Sequence, residues 1–145
     1  MRRFVLAGGT ILVVVVVAVA ALRLPAAGAE DGDVPSIKEV MVKLHKGSDA
    51  PMAKVAGALK AERPDWAAIR GATKDFVILG ASLAKNDPPK GDAASWKVLS
   101  ARYFADAKAL DDAAQAQDRD AAQAAQKRLG GSCKACHAAH KAAKK

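Results

Sequence analysis

Towards its C-terminal end the chain has the sequence LGGSCKACH over residues 129–137, and this stretch sets the expectations for the rest of the fold. Its last five residues, Cys133-Lys134-Ala135-Cys136-His137, form a C-x-x-C-H motif, the attachment sequence of c-type haem. On a helix, positions i, i+3 and i+4 share one face. Both thiols could therefore reach the two vinyl groups of one porphyrin, with His137 as the proximal ligand of its iron. The motif predicts one covalently attached haem c per chain.

Other interpretations of the two cysteines fit less well. A thioredoxin-type C-x-x-C lies at a helix N-terminus in a βαβ context, and this sequence has no sustained strand alternation. A structural zinc site would need two more ligands, for which only His45 and His140 remain as nitrogen donors. A disulfide across two residues of a helix is geometrically poor.

The N-terminal segment has the pattern of an export signal. Arg2-Arg3 precedes an uncharged apolar stretch over residues 4–22, and Ala27-Gly28-Ala29 resembles an A-x-A cleavage site. We therefore expect a signal peptide over residues 1–29, followed by one haem-binding domain over residues 30–145. The apolar stretch could also just span a bilayer as an uncleaved anchor. The domain would then be either soluble or membrane-anchored, and in both cases periplasmic or otherwise extracytoplasmic.

The composition of residues 30–145 favours helices. Ala accounts for 28 of these residues, while β-branched and aromatic residues are scarce, which disfavours a β-sandwich. The length and the two cysteines exclude a second domain and a disulfide-dense scaffold. Because each Ala buries little apolar area, we expect the core to need a further packing partner, and a covalently held macrocycle would supply one.

Capping residues and prolines divide this domain into helices. Ser36 and Glu39 have the spacing of a capping box. The helix that starts there is either interrupted near Pro51 or split into two short helices before Pro64. Further helix starts are predicted at Asp65, at Asp92 after the loop Asn86–Gly91, and after a turn near Asp118. The pattern predicts an all-α fold, an antiparallel up-and-down four-helix bundle.

Apolar residues at helical spacing mark the face of each helix that we expect to be buried. These residues are Ile37, Val40, Met41 and Leu44 on the first helix, Trp66, Ile69, Thr73, Phe76 and Leu79 or Leu83 on the second, Trp96, Leu99, Tyr103, Ala107 and Leu110 on the third, and Ala122, Ala125, Leu129, Cys133 and Cys136 on the last.

The position of the motif adds a resemblance to a known family. In class I cytochromes c the C-x-x-C-H lies near the N-terminus, whereas here it lies near the C-terminal end on a predicted last helix. The chain therefore resembles the class II c-type cytochromes, that is, cytochrome c′ and the low-spin class II cytochromes c, which are four-helix bundles. The resemblance rests on residues 129–137, on Trp96 and Tyr103 of the third helix, and on residues 37–41.

The resemblance implies close approach of helix and haem at Gly130-Gly131, and it allows a homodimer, since relatives often dimerise. Three residues after the haem histidine, where the family commonly has an aromatic residue, this chain has His140, followed by the expected basic residue, Lys141. We interpret His140 as a surface or haem-edge residue. His45 is interpreted as a solvated helix-end residue, with bis-His ligation left open.

Two functions fit these residues. The first is a one-electron carrier with six-coordinate iron, in which Met41 is the candidate distal ligand because its thioether has a lone pair to offer. The alternative is a cytochrome c′-like protein with five-coordinate iron that binds NO or CO. The distal position thus has three candidates: Met41, His45 or no ligand. A haem enzyme ranks third, since no distal acid–base pair is evident in the sequence, and we expect no catalytic activity.

The charge distribution bears on partners. Without residues 1–29, 20 Lys and Arg remain against 15 Asp and Glu, a net charge of +5. The lysines are spread over all predicted helices, which disfavours a nucleic-acid stripe. The one local cluster, Lys141, Lys144 and Lys145, could steer an acidic redox partner towards the haem edge. Contact with a membrane is expected only if the N-terminal segment is retained.

Overall fold

The computed structural model describes residues 33–142, so the predicted signal or anchor segment lies outside the described residues. Within this range the chain forms five helices and no strand. The helices are α1 (Ile37–His45), α2 (Pro51–Ala58), α3 (Trp66–Leu83), α4 (Ala93–Ala116) and α5 (Arg119–His140). The prediction of an all-α fold is confirmed for these residues. None of the helices in residues 33–142 has both the length and the hydropathy needed to cross a membrane.

The predicted caps define where the helices begin. The Ser36 hydroxyl accepts a hydrogen bond from the backbone N–H of Glu39 at 3.3 Å, and the Glu39 carboxylate accepts one from the backbone N–H of Ser36 at 2.8 Å. These hydrogen bonds lower the pKa of the Glu39 carboxyl. Asp65 and Asp92 each accept from the backbone N–H three residues downstream, at 3.0 and 2.7 Å. Because a capping side chain satisfies otherwise unpaired N–H groups, such residues mark helix starts in sequence.

Two connections determine the remaining boundaries. Of the alternatives for the first helical stretch, the structure has two short helices, because Gly47 adopts a left-handed φ of +95° and Pro51 then opens α2. At the other connection, Gln117 ends α4 with a φ of 56°, and Asp118 caps α5. A four-helix bundle remains a prediction, in which the α1–α2 pair would count as one member.

The core lies between the predicted inward faces. α4 packs against both α3 and α5, α2 packs against α3 and α5, and α1 packs against α2 and α3. The largest fully buried apolar side chains are Phe76, Leu44, Ile69, Leu110, Leu129, Val40 and Val55. Thr73 is also fully buried, and its hydroxyl donates to the Asp111 carboxylate on α4. Alanines such as Ala107 and Ala122 occupy core positions where a neighbouring helix packs closely.

Candidate functional site

A mostly apolar cavity of about 700 Å³ lies between α1, the α3–α4 loop, α4 and the C-terminal half of α5. Its volume falls within the range of roughly 300–1,000 Å³ typical of pockets for small molecules and cofactors. Residues that line it include Ile37, Met41, His45, Leu83, Trp96, Leu99, Tyr103, Cys133, Cys136, His137 and His140.

The residues of the C-x-x-C-H motif share this cavity. Cys133 and Cys136 are half-buried free thiols, and His137 is exposed at the cavity mouth. They lie far along α5 rather than at its N-terminus, where reactive thiols are found. Burial raises the pKa of the Cys136 thiol, and the neighbouring Cys133 raises it further. Two thiols and an imidazole on one apolar wall form a donor set that fits a haem, and the raised pKa of the Cys136 thiol disfavours a reactive dithiol.

Met41 also lines the cavity, although it lies on α1, far from the C-x-x-C-H motif in sequence. Its side chain is half-buried, whereas those of Val40 and Leu44 on the same helix are fully buried in the core. The other methionine of the described chain, Met52, does not line the cavity, and its sulfur accepts a hydrogen bond from Gln126 at 3.7 Å. The structure therefore brings the candidate distal ligand and the haem-attachment motif to one site.

The interpretation of His45 as a solvated helix-end residue is wrong. Its ring is half-buried and packs edge-on against Phe76 and Tyr103, with ring centroids 5.8 and 6.1 Å apart. His45 Nε2 lies 3.0 Å from the Tyr103 hydroxyl oxygen. His45 is the last residue of α1, but helices α3 and α4 cover its side chain. The hydrophobic pattern of α1 alone does not show that the end of this helix is covered.

Burial favours the neutral form of both members of the His45–Tyr103 pair. Burial lowers the pKa of His45, and the charge of His137 lowers it further. Burial also raises the pKa of the Tyr103 hydroxyl, with a smaller contribution from Cys133. Sequence reasoning missed this polar pair at the cavity, because its members are 58 residues apart and no spacing rule connects them.

Of the two placements expected for His140, the surface one is wrong, since only 2% of the residue is exposed; the residue lines the cavity, and the haem-edge placement stays a prediction. Its Nδ1 donates to the Lys90 carbonyl at 2.9 Å, its Nε2 lies 2.9 Å from the Ser95 hydroxyl, and its ring packs edge-on against Trp96. His140 lies three residues after His137, on the side of α5 that faces the protein, so the His140 ring contacts α4 and the α3–α4 loop. Because both ring nitrogens are engaged, His140 is not available as an iron ligand.

The α3–α4 loop forms the rim of the cavity and is tied to its surroundings by side chains. The Trp96 indole N–H donates to the carbonyls of Leu83 and Asn86 at 3.1 and 2.8 Å. The Asn86 amide in turn donates to the carbonyl of Pro35 at 3.1 Å. The predicted core aromatic Trp96 thus also holds the rim against the segment that precedes α1.

Two further sequence expectations concern the edges of the site. A Cβ at Gly130 or Gly131 would meet no atom within 4 Å, so protein packing does not require glycine at either position. Close approach to haem at these glycines stays a prediction. Lys38 and Lys141 both line the cavity and are exposed, whereas Lys144 and Lys145 lie outside the described residues.

Comparison with known proteins agrees with the motif. The family model described as cytochrome c′ matches residues 91–141, which comprise α4, α5 and the residue after it. This region holds Trp96, Tyr103 and the C-x-x-C-H, whereas α1 with Met41 lies outside it. No curated protein and no solved structure matches the chain at a significant level. The family match therefore supports a class II c-type cytochrome over residues 91–141, and that family implies a haem c cofactor.

Proposed function

We propose that the chain is an exported monohaem cytochrome that carries single electrons. In this proposal, Cys133 and Cys136 hold one haem c through thioethers, His137 is the proximal iron ligand and Met41 is the distal one. The observation that carries the proposal is that Met41, Cys133, Cys136 and His137 line the same cavity although α1 and α5 are far apart in sequence. When bound, the haem supplies a ferrous–ferric couple.

The cavity walls suit an electron carrier. A thioether is a soft, neutral ligand, and His/Met coordination raises the reduction potential relative to ligation by charged or harder donors. The apolar walls limit the access of water to the site, and hydrophobic burial of a haem is one of the means by which proteins set its potential. His137 lies at the cavity mouth, so the proposed proximal side is close to the surface on which a redox partner would bind.

The mouth of the cavity carries positive charge. Among the residues that line the cavity, Lys38 at the start of α1 and Lys141 after α5 are exposed lysines, and Asp87 is the one exposed carboxylate. We infer an acidic redox protein as partner, since such a patch would speed its association at low ionic strength. The proposal has no catalytic residue and no nucleic-acid partner, and it assigns the protein to the periplasm or another extracytoplasmic space.

The test is the visible and near-infrared spectrum of the holoprotein in both oxidation states. Ferric wild type should show the long-wavelength charge-transfer band of sulfur ligation. Met41→Ala should lose this band, become high-spin, have a lower potential and bind CO. Met52→Ala is the matched control, because Met52 is also half-buried but does not line the cavity, and it should keep the wild-type spectrum.

The alternative, a five-coordinate protein that binds NO or CO, predicts a different result in the same experiment. Wild type would then have no sulfur band, would be high-spin and would bind CO rapidly, and Met41→Ala would change none of these properties. That outcome would refute the carrier with Met41 as ligand and leave haem attachment untouched.

A further inference from the structure

Two side chains of α1 bring a potential iron ligand to the cavity. Met41 offers its thioether sulfur and His45, one turn later, offers its imidazole. Imidazole is the commonest metal ligand in proteins. If Met41 binds the iron while the His45 imidazole lies on the same helix at the same cavity, a physical reason must exclude the imidazole. The contacts of His45 supply one.

The outer nitrogen of His45 is already engaged. Its Nε2 lies 3.0 Å from the Tyr103 hydroxyl oxygen, which is hydrogen-bond distance. If Nε2 accepts the hydrogen bond from the Tyr103 O–H, its lone pair is used. If Nε2 carries the proton itself and donates to Tyr103, it has no lone pair to give. In both tautomers Nε2 can bind iron only after the bond to Tyr103 is broken.

Packing holds Tyr103 where it makes this bond. Tyr103 is only 6% exposed, and its ring lies directly over the backbone of α3 at Gly80, where an added Cβ would be 3.2 Å from a ring carbon. The His45 ring is in turn packed edge-on between Phe76 and Tyr103. Release of His45 would therefore leave a buried hydroxyl without its partner, which is unfavourable.

We propose that Tyr103 is a positioning residue that selects the distal iron ligand: its hydrogen bond to Nε2 withholds the His45 imidazole and leaves the Met41 sulfur to bind. This inference rests on the proposed function, because it presupposes a haem ligated by Met41. It assigns to Tyr103 a role that its place in the core does not require.

The test uses Tyr103→Phe in the holoprotein, which keeps the ring and removes the hydroxyl. With its Nε2 free, His45 should displace Met41, so the sulfur charge-transfer band falls about tenfold or more, as expected for the loss of one buried hydrogen bond. The iron should stay low-spin, with the electron paramagnetic resonance signature of bis-His ligation and a lower potential.

The double variant Tyr103→Phe/His45→Leu is the control. It keeps the altered ring but has no competing imidazole, so the sulfur band should return. Gly80→Ala perturbs the same contact from α3 by pushing the ring, and should cause a smaller shift in the same direction. It also serves if Tyr103→Phe fails to retain haem.

The outcomes separate the two proposals. If wild type has the sulfur band and both Tyr103→Phe and Gly80→Ala keep it at full intensity, Tyr103 does not select the ligand, and the carrier proposal stands. A double variant that lacks the band as the single variant does would also overturn the inference, because the effect would then not pass through His45. If wild type itself has no sulfur band, both proposals fail.

Discussion

Gly91→Ala should separate the α3–α4 loop from the C-terminal end of α5. Gly91 has a φ of +83°, and a Cβ there would lie 2.7 Å from the Ala139 carbonyl oxygen and 2.9 Å from His140 Nδ1. Real Cβ atoms do not approach backbone that closely, so the loop has to move away from α5. The movement would break the hydrogen bond from His140 to the Lys90 carbonyl.

The size of the effect follows from two contributions. The left-handed backbone costs an L-residue about 1–2 kcal/mol, offset by about 0.4–1 kcal/mol because Ala restricts the unfolded chain. Loss of the buried His140 hydrogen bond adds about 1–3 kcal/mol. Gly47→Ala is the matched control, since Gly47 has a φ of +95° but open space around its added Cβ. The control should show the first contribution alone.

Urea denaturation of the holoproteins measures the difference. Gly91→Ala should be less stable than Gly47→Ala by about 1–3 kcal/mol, with an unchanged dependence on urea concentration. His140→Ala should reduce this difference by the contribution of the hydrogen bond, because its donor is then absent in both backgrounds, whereas the clash with the Ala139 carbonyl remains. Equal stabilities of the two glycine variants would refute the argument that the loop is locked onto α5 at His140.

Two further predictions address attachment and pH. Cys133→Ser or Cys136→Ser should leave at most one thioether, and the double change should leave none. The haem-stained band on a denaturing gel should therefore disappear only in the double variant. A band that persists in the double variant would refute the c-type assignment. Since burial lowers the pKa of His45 from 6.5, this side chain binds more protons in the unfolded chain than in the folded one near and below about pH 6.5. The free energy of unfolding should therefore fall as the pH is lowered from about 7.5 to 5. His45→Leu should reduce this dependence on pH. The same dependence in wild type and His45→Leu would contradict the burial of a neutral His45.

The features that could be predicted from the sequence alone are local ones. The capping box at Ser36 and the caps at Asp65 and Asp92 join residues three positions apart, so their chemistry is visible in a short window. The same holds for the C-x-x-C-H, because one helical turn places its thiols and imidazole on one face. Helical periodicity likewise identified the inward side of α4, where Tyr103 and Leu110 are buried. Interactions within one turn of a helix depend on little else, which is why the predicted caps and the buried face of α4 were confirmed, whereas haem attachment at the C-x-x-C-H stays a prediction.

Only the tertiary structure decided which inward residues meet. His45 and Tyr103 are 58 residues apart, and His140 reaches Ser95 and Lys90 across 45 and 50 residues. Periodicity shows that a side chain faces inwards, but it does not show which side chain of another helix it will contact. The difficulty is greatest at the ends of helices, where His45 and His140 lie, because burial there depends on neighbouring elements and not on the residue's own helix. From sequence, His45 was therefore interpreted as a solvated residue and His140 as a surface or haem-edge residue. Both are held by partners that the packing of α3, α4 and the α3–α4 loop supplies.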